Sequence, residues 1–132
     1  MFGVQGYGAG GGAGARYRAL DLGTRVQDAS PHRLVAILFE ELLLSLEATA
    51  AAQRAGDTAR CGPRQARALS ILHALEASLD FAAGGEIAQG LAAIYRHARR
   101  ETVAGVQEDS PARIDGARTV IAEIAGAWTT IG

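Results

Sequence analysis

The chain lacks lysine, has one cysteine and carries few aromatic residues. Its charge balance and its single cysteine limit the classes of partner and the cellular compartment that we expect. All 13 basic side chains are arginine, and against 14 carboxylates they leave a formal net charge of −1. That balance gives no reason to expect nucleic acid or an anionic membrane as the main partner. The lone Cys61 cannot form an internal disulfide, which suits a reducing compartment.

Long apolar runs are missing as well. The longest, residues 34–39, is followed by Glu40 and Glu41, and it falls far short of the roughly 18 residues that a membrane-spanning helix needs. The first residues show no basic start followed by an apolar stretch, so the sequence predicts no secretory signal. We therefore expect a cytosolic protein without membrane insertion.

The residue patterns of catalysis and metal binding are also absent. No glutamate is followed three residues later by histidine, which is the pattern of di-iron helical bundles. His32, His73 and His97 fall on three different predicted helices. Glu40 and Glu41 are neighbours in sequence, so on a helix they point about 100° apart and do not form an acid–base pair. We expect neither an enzyme nor a cofactor or metal site.

Apolar residues are nevertheless abundant, at 48% of the chain, and they concentrate in a predicted helix over residues 31–55. Ser30 before Pro31 is a typical helix start, and Gly56 is a plausible residue just past its end. Winding this stretch at about 100° per residue gives two apolar faces. The broader face contains Leu34, Val35, Leu38, Phe39, Leu42, Leu43 and Leu46. The narrower face contains Ile37, Leu44, Ala48 and Ala51.

One core stripe is what a surface helix needs, so the second face requires an explanation. Because the core side of a helix is the wider one, we assign the broader face to the core. The narrower face then packs on the segment before the helix or receives a partner.

Three further helices are predicted at about 63–82, 86–106 and 111–130. Their core stripes include Ile87, Leu91 and Tyr95 in the first helix after the glycine pair and Ile114, Ile121 and Ile131 in the last. Short connections between helices of this length predict an all-α, antiparallel, up-and-down four-helix bundle. Residues 1–15 form a predicted flexible glycine-rich tail, and residues 16–132 form one domain that opens with a short helical or extended segment.

Several short motifs in the sequence resemble those of one known family. They are Ala-Ser-Pro-His-x-Leu at residues 29–34, Leu-Phe-Glu at 38–40, Gly-Gly-Glu-Ile-Ala at 84–88, Ile94-Tyr95 and Ala127-Trp128. In order and spacing they resemble the flagellar secretion chaperone FliS over about residues 17–131. The chain departs from the family pattern at Arg96-His97, where Asp-Tyr is usual, and at Ala104-Gly105, where Ala-Asn is usual.

The resemblance implies a cytosolic export chaperone that binds the disordered C-terminal segment of flagellin. Such a chaperone prevents premature polymerisation and delivers flagellin to a component of the flagellar type III export gate. Flagellin would lie as helices along hydrophobic grooves. The residues expected to bind it, or to cover its groove as an N-terminal lid, are Tyr17, Leu20, Val26, Ile37, Leu44, Ala48 and Ala51.

Two other interpretations remain open from the sequence. The same groove could bind a different client or a flagellar regulatory protein. Alternatively, the second apolar face of the long helix could pair with itself in a homodimer.

Overall fold

A computed structural model describes residue 23 and residues 25–131. The predicted tail, with Tyr17 and Leu20 beyond it, lies outside these residues. Residues 25–27 are helical, and the division between two compact units of the chain falls between Leu34 and Val35. Four long helices follow in this part of the chain, which contains no strand: α1 (Pro31–Arg54), α2 (Thr58–Ala77), α3 (Phe81–Gln107) and α4 (Pro111–Ile131).

The ends of α1 lie where the sequence predicts them. The hydroxyl oxygen of Ser30 accepts a hydrogen bond from the amide of Arg33 at 3.1 Å, so it caps one of the open amides of the first turn. At the other end Gly56 has a φ of 70°. The amide of Asp57 then donates to the carbonyl of Ala52 at 2.9 Å, which closes the last turn.

The second helix begins earlier than predicted. Asp57 accepts a hydrogen bond from the amide of Arg60 at 3.1 Å and starts α2 at Thr58, five residues before the predicted start at Pro63. Pro63 lies in the second turn, inside the helix. The sequence prediction assigned residues 56–63 to a loop and started the helix at Pro63, but the capping carboxylate of Asp57 starts it earlier.

The glycine pair lies at a kink where two helical stretches of α3 meet, a short one before Gly85 and the long one after it. Asp80 accepts a hydrogen bond from the amide of Ala83 at 3.0 Å and starts α3 at Phe81. Gly85 interrupts the helix with φ 52° and ψ −126°, a backbone conformation that a residue with a Cβ rarely adopts. The predicted break at residues 83–85 is therefore confirmed, whereas the predicted end of the preceding helix at about residue 82 is wrong, because α2 already ends at Ala77.

All four helices contribute to one hydrophobic core. Phe39 belongs to this core, and its ring centroid lies 6.4 Å from those of both Tyr95 and Trp128. The predicted core face of α1 is confirmed, since Phe39, Leu42 and Leu46 are fully buried. The buried cluster consists of Phe39, Leu42, Leu46, Ala50, Ala68, Ile71, Leu72, Leu75, Tyr95, Ala98, Ile114, Ala117 and Ile121.

The helices run in alternating directions. Only three residues separate each helix from the next, so neighbours that share a core must be antiparallel. Ion pairs between α1 and α4 agree, because Arg54 meets Asp115 whereas the earlier Glu47 meets the later Arg118. These features confirm the predicted all-α bundle for the described part of the chain.

The turn between α3 and α4 depends on a close approach at Gly105. A Cβ at this position would lie 2.7 Å from Cγ1 of Ile114 and 3.0 Å from the carbonyl oxygen of Ser110. The amide of Ser110 donates to the Gly105 carbonyl at 2.7 Å. That carbonyl also accepts a hydrogen bond of 2.8 Å from the side-chain amide of Gln53 on α1, so one backbone group joins three elements.

Candidate partner-binding surface

The face of α1 that points away from the core carries one large exposed apolar side chain. We call the residues Glu40, Leu44, Glu47, Ala48 and Ala51 the outer face of α1. Leu44 is 45% exposed, Ala51 is exposed and Ala48 is half-buried. Ile37, which the helical period predicts on the same narrow face, is only 1% exposed.

Polar residues on the α2 side of α1 are buried and satisfied by hydrogen bonds. The carboxylate of Glu41 pairs with Arg67 of α2 at 2.8 Å. The hydroxyl of Ser45 donates to the Glu41 carbonyl at 2.8 Å, and the hydroxyl of Thr49 donates to the Ser45 carbonyl at 2.7 Å. The core side of α1 therefore extends across this polar flank, which closes that side of the outer face.

The α4 side of the outer face is more open. Glu47 and Arg118 pair across 3.6 Å, and their side chains remain 62% and 42% exposed. Further along, the hydrogen bond from Arg54 to Asp115 raises the pKa of the Arg54 guanidinium. Both pairs are solvated, so they contribute little to holding α1 against α4.

A second group of apolar side chains is exposed at one end of the bundle. We call Ile87 of α3 and Ile131 of α4 the terminal patch; their exposed fractions are 76% and 74%. Measured from the contact of Gly105 with Ile114, they lie about 27 Å and about 25 Å along antiparallel helices, at about the same level. Leu91 and Trp128 lie in the adjacent turns and pack partly against the core.

The terminal patch corrects the sequence prediction, which placed Ile87 and Ile131 on core stripes. The buried stripe of α3 passes through Ala88, Ala92 and Tyr95, so Ile87 is rotated about 100° away from it. The spacing alone could not distinguish the two stripes, because Ile87, Leu91 and Ile94 repeat at the same intervals of four and three residues as Ala88, Ala92 and Tyr95. Ile131 is the last residue of α4 and lies ten residues beyond Ile121, the last buried residue of that helix.

Of the three residues in the predicted N-terminal lid, only Val26 lies in the part of the chain that the structure describes. Val26 lies in the helical stretch before α1 and is 39% exposed. Tyr17 and Leu20 fall outside the described residues. Their role therefore stays a prediction.

The opposite end of the bundle contains a pocket of about 430 Å³. Its lining includes the apolar residues Ala52, Cys61 and Val106 and the acidic residues Asp57 and Asp109. Across the described residues, no group of three or more histidine, cysteine, aspartate or glutamate side chains could hold a metal ion.

The pKa shifts in the bundle have structural causes. Burial raises the pKa of the Tyr95 hydroxyl to about 12, which keeps the core aromatic neutral. The hydrogen bond from Arg96 holds the pKa of the Glu76 carboxyl below its ordinary value, with a smaller contribution from Arg99. Tyr95 of α3 contacts Phe39 of α1, and Glu76 of α2 pairs with Arg96 of α3. Both groups therefore connect α3 to a neighbouring helix.

The comparisons with known proteins all identify the same family. The family model described as "Flagellar protein FliS" matches residues 13–132. The chain is 32% identical over 117 residues to the flagellar secretion chaperone FliS of Salmonella typhimurium, covering 87% of this chain and 86% of that protein. It is 28% identical over 115 residues to FliS of Vibrio cholerae, covering 87% and 85%. It is also 25% identical over 116 residues to FliSB of Pseudomonas aeruginosa, covering 88% and 92%.

Among the helices in the described part of the chain, none has both the length and the apolar character needed to cross a bilayer.

Proposed function

The chain belongs to the FliS family of flagellar proteins, and from this premise we propose that it is an export chaperone for flagellin. In this role it binds the disordered C-terminal segment of flagellin in the cytosol and prevents premature polymerisation. It then delivers flagellin to a gate component of the flagellar type III export apparatus. The curated relatives carry the name flagellar secretion chaperone, and the flagellin segment as client is our inference.

The observation that carries the proposal is apolar surface beyond what the core uses. Leu44 on the outer face of α1 and the terminal patch are exposed although the core cluster already joins all four helices. A contiguous apolar surface marks an interaction site, and we propose that these side chains belong to such a surface. An amphipathic client segment could fold as helices on them, a mode that typically buries about 1,000–3,000 Å² and costs about 2–5 kcal/mol in ordering.

Within this proposal, Leu44, Ala48 and Ala51 are the client contacts on α1. The side chain of Leu44 projects from the helix, and the small side chains of Ala48 and Ala51 leave a recess beside it. A side chain from a second helix can pack into that recess. Ile37 is buried, so in this proposal it contributes only when the residues packed on it move. We propose that the N-terminal segment with Tyr17, Leu20 and Val26 is a lid that the client displaces.

Substituting Leu44 with aspartate tests the client surface directly. Leu44 is 45% exposed, so L44D should leave the bundle folded. A carboxylate placed in an apolar contact should weaken binding of a flagellin C-terminal peptide of about 40 residues by about tenfold or more. Titration calorimetry measures the affinity.

The matched control is A66D, which puts the same carboxylate on an exposed position of α2. Equal affinities of wild type, L44D and A66D would remove Leu44 from the client surface. If the wild-type chain does not bind the flagellin peptide and elutes as a concentration-dependent dimer, the result would instead favour self-pairing of the apolar face.

A further inference from the structure

Three arginines lie together on α3 beside α2. Arg96 and Arg100 are about one helical turn apart, so they lie on the same side of α3, and both are exposed. Arg99 is half-buried and reaches toward Glu76 of α2. We call Arg96, Arg99 and Arg100 the arginine cluster.

A single carboxylate balances part of the charge of this cluster. Glu76 accepts a hydrogen bond of 2.8 Å from Nε of Arg96 on one oxygen, and its other oxygen lies 3.4 Å from Nη1 of Arg99. Both of its oxygens are therefore engaged. Across residues 25–131, Arg100 forms no ion pair. Three guanidinium groups against one carboxylate leave a surplus of two positive charges.

Other carboxylates on the two helices do not cancel this surplus. Among the residues of α2, only Glu76 is acidic. Glu101 follows Arg100 directly, so the two side chains point about 100° apart around α3, and Glu101 pairs with Arg113 of α4 at 3.3 Å. Glu86 lies ten residues before Arg96, which is about 15 Å along the helix.

The arginine cluster and the outer face of α1 lie on opposite sides of the bundle. Ion pairs join α1 to α2 through Arg67 and to α4 through Arg118. Other ion pairs join α3 to the same two helices, through Glu76 and through Arg113. Helices α1 and α3 therefore lie diagonally across the bundle, and the outer face of α1 points away from the cluster.

We propose that the arginine cluster is a docking surface for an acidic segment of a protein partner. The guanidinium groups of Arg96 and Arg100 present forked N–H donors to carboxylates that are spaced one helical turn apart. A short acidic segment fits a surplus of two charges, whereas nucleic acid needs a longer basic track. The chain can hold this partner and a client on α1 at the same time. The proposal does not require that the client be flagellin.

The experiment measures binding of a fluorescent helical peptide of about 16 residues with glutamates spaced four residues apart along one face. Fluorescence anisotropy at about 50 mM salt compares the full-length wild type with R96Q/R100Q. The double variant should bind this peptide about fivefold or more weakly. A peptide with glutamine in place of each glutamate should bind the wild type more weakly by a similar factor.

The matched control is R60Q/R64Q, which removes two arginines of the same spacing from exposed positions of α2. Arg60 already pairs with Asp57, so this variant should stay within about twofold of wild type. R100Q alone, which breaks no ion pair, should lose part of the affinity and tests the cluster if R96Q/R100Q does not fold. Equal affinities of wild type, R100Q and R96Q/R100Q, or equal losses in both double variants, would overturn the proposal.

A second arm adds a saturating amount of the flagellin C-terminal peptide. The acidic peptide should still bind wild type within about twofold of its original affinity, because distant sites act independently. Competition between the two peptides would overturn the separation of the two surfaces. A wild type that binds the acidic peptide but no flagellin peptide would support the arginine cluster and contradict the proposed client.

Discussion

Gly105 shows how one residue determines the packing of three elements. Its missing side chain lets Ile114 and the α3–α4 turn approach, and its carbonyl accepts hydrogen bonds from Ser110 and Gln53. Gly105, where the sequence departs from the Ala-Asn pair expected for the family, therefore stands at a close approach between α3 and the α3–α4 turn. A larger residue at 105 would need Ile114 and the turn to move.

Replacing Gly105 with alanine should destabilise the bundle. The added Cβ would lie 2.7 Å from Ile114 Cγ1 and 3.0 Å from a backbone oxygen, and overpacking of this kind typically costs about 1–3 kcal/mol. Urea denaturation followed by circular dichroism measures the change in the free energy of unfolding.

Gly116→Ala on α4 is the matched control, because a Cβ there meets nothing within 4 Å. Higher helix propensity should make that variant more stable, by up to about 1 kcal/mol. If both variants shift stability in the same direction and by similar amounts, the close approach at Gly105 has no energetic importance.

At the same scale, the sequence predicts buried residues better than exposed ones. Phe39, Leu42 and Leu46 follow from the helical period of α1, since a wide apolar arc must face the core. Ile87 and Ile131 could not be placed in that way. Their exposure depends on a rotation of about 100° from the α3 stripe and on where α4 ends, and the period of a single helix does not report how far its neighbours extend.

At the scale of the helix, boundaries were decided by capping side chains. The caps at Ser30, Asp57 and Asp80 each accept a bond from the amide three residues later. Only Ser30 was recognised from the sequence, because it precedes a long apolar run. Asp57 and Asp80 stand beside glycine-rich or proline-containing stretches, and the weights of cap and breaker cannot be ranked without knowing what the helix packs against.

The N-terminal segment belongs to the same scale, and its proposed lid role can be tested by removing residues 1–24. If the segment covers an apolar client surface, the shortened chain should bind more of a hydrophobic dye. Its affinity for the flagellin peptide should also change, because the client no longer has to displace the lid. Fluorescence titration and calorimetry measure the two effects.

A double substitution of Tyr17 and Leu20 by serine in the full-length chain serves as the control for truncation itself. Should dye binding and peptide affinity remain at wild-type values in both forms, the segment is not a lid.

At the scale of the whole molecule, the short motifs that identify the family lie mostly where helices begin or kink. Ala-Ser-Pro-His begins α1, and Gly-Gly-Glu-Ile-Ala spans the kink of α3. This explains why fold and family could be predicted from the sequence. The client surface could not be predicted in full, because Leu44 and the terminal patch are defined by what the other helices leave uncovered.

The central claim is that the exposed apolar surface lets a disordered flagellin segment fold on the bundle. Titration calorimetry of the full-length chain with the flagellin C-terminal peptide at several temperatures, combined with circular dichroism of the mixture, tests it most directly. Burial of apolar surface predicts a clearly negative heat-capacity change, and coupled folding predicts more helix in the complex than in the separate components. Absence of binding, or binding with a heat-capacity change near zero and no gain of helix, would contradict the account.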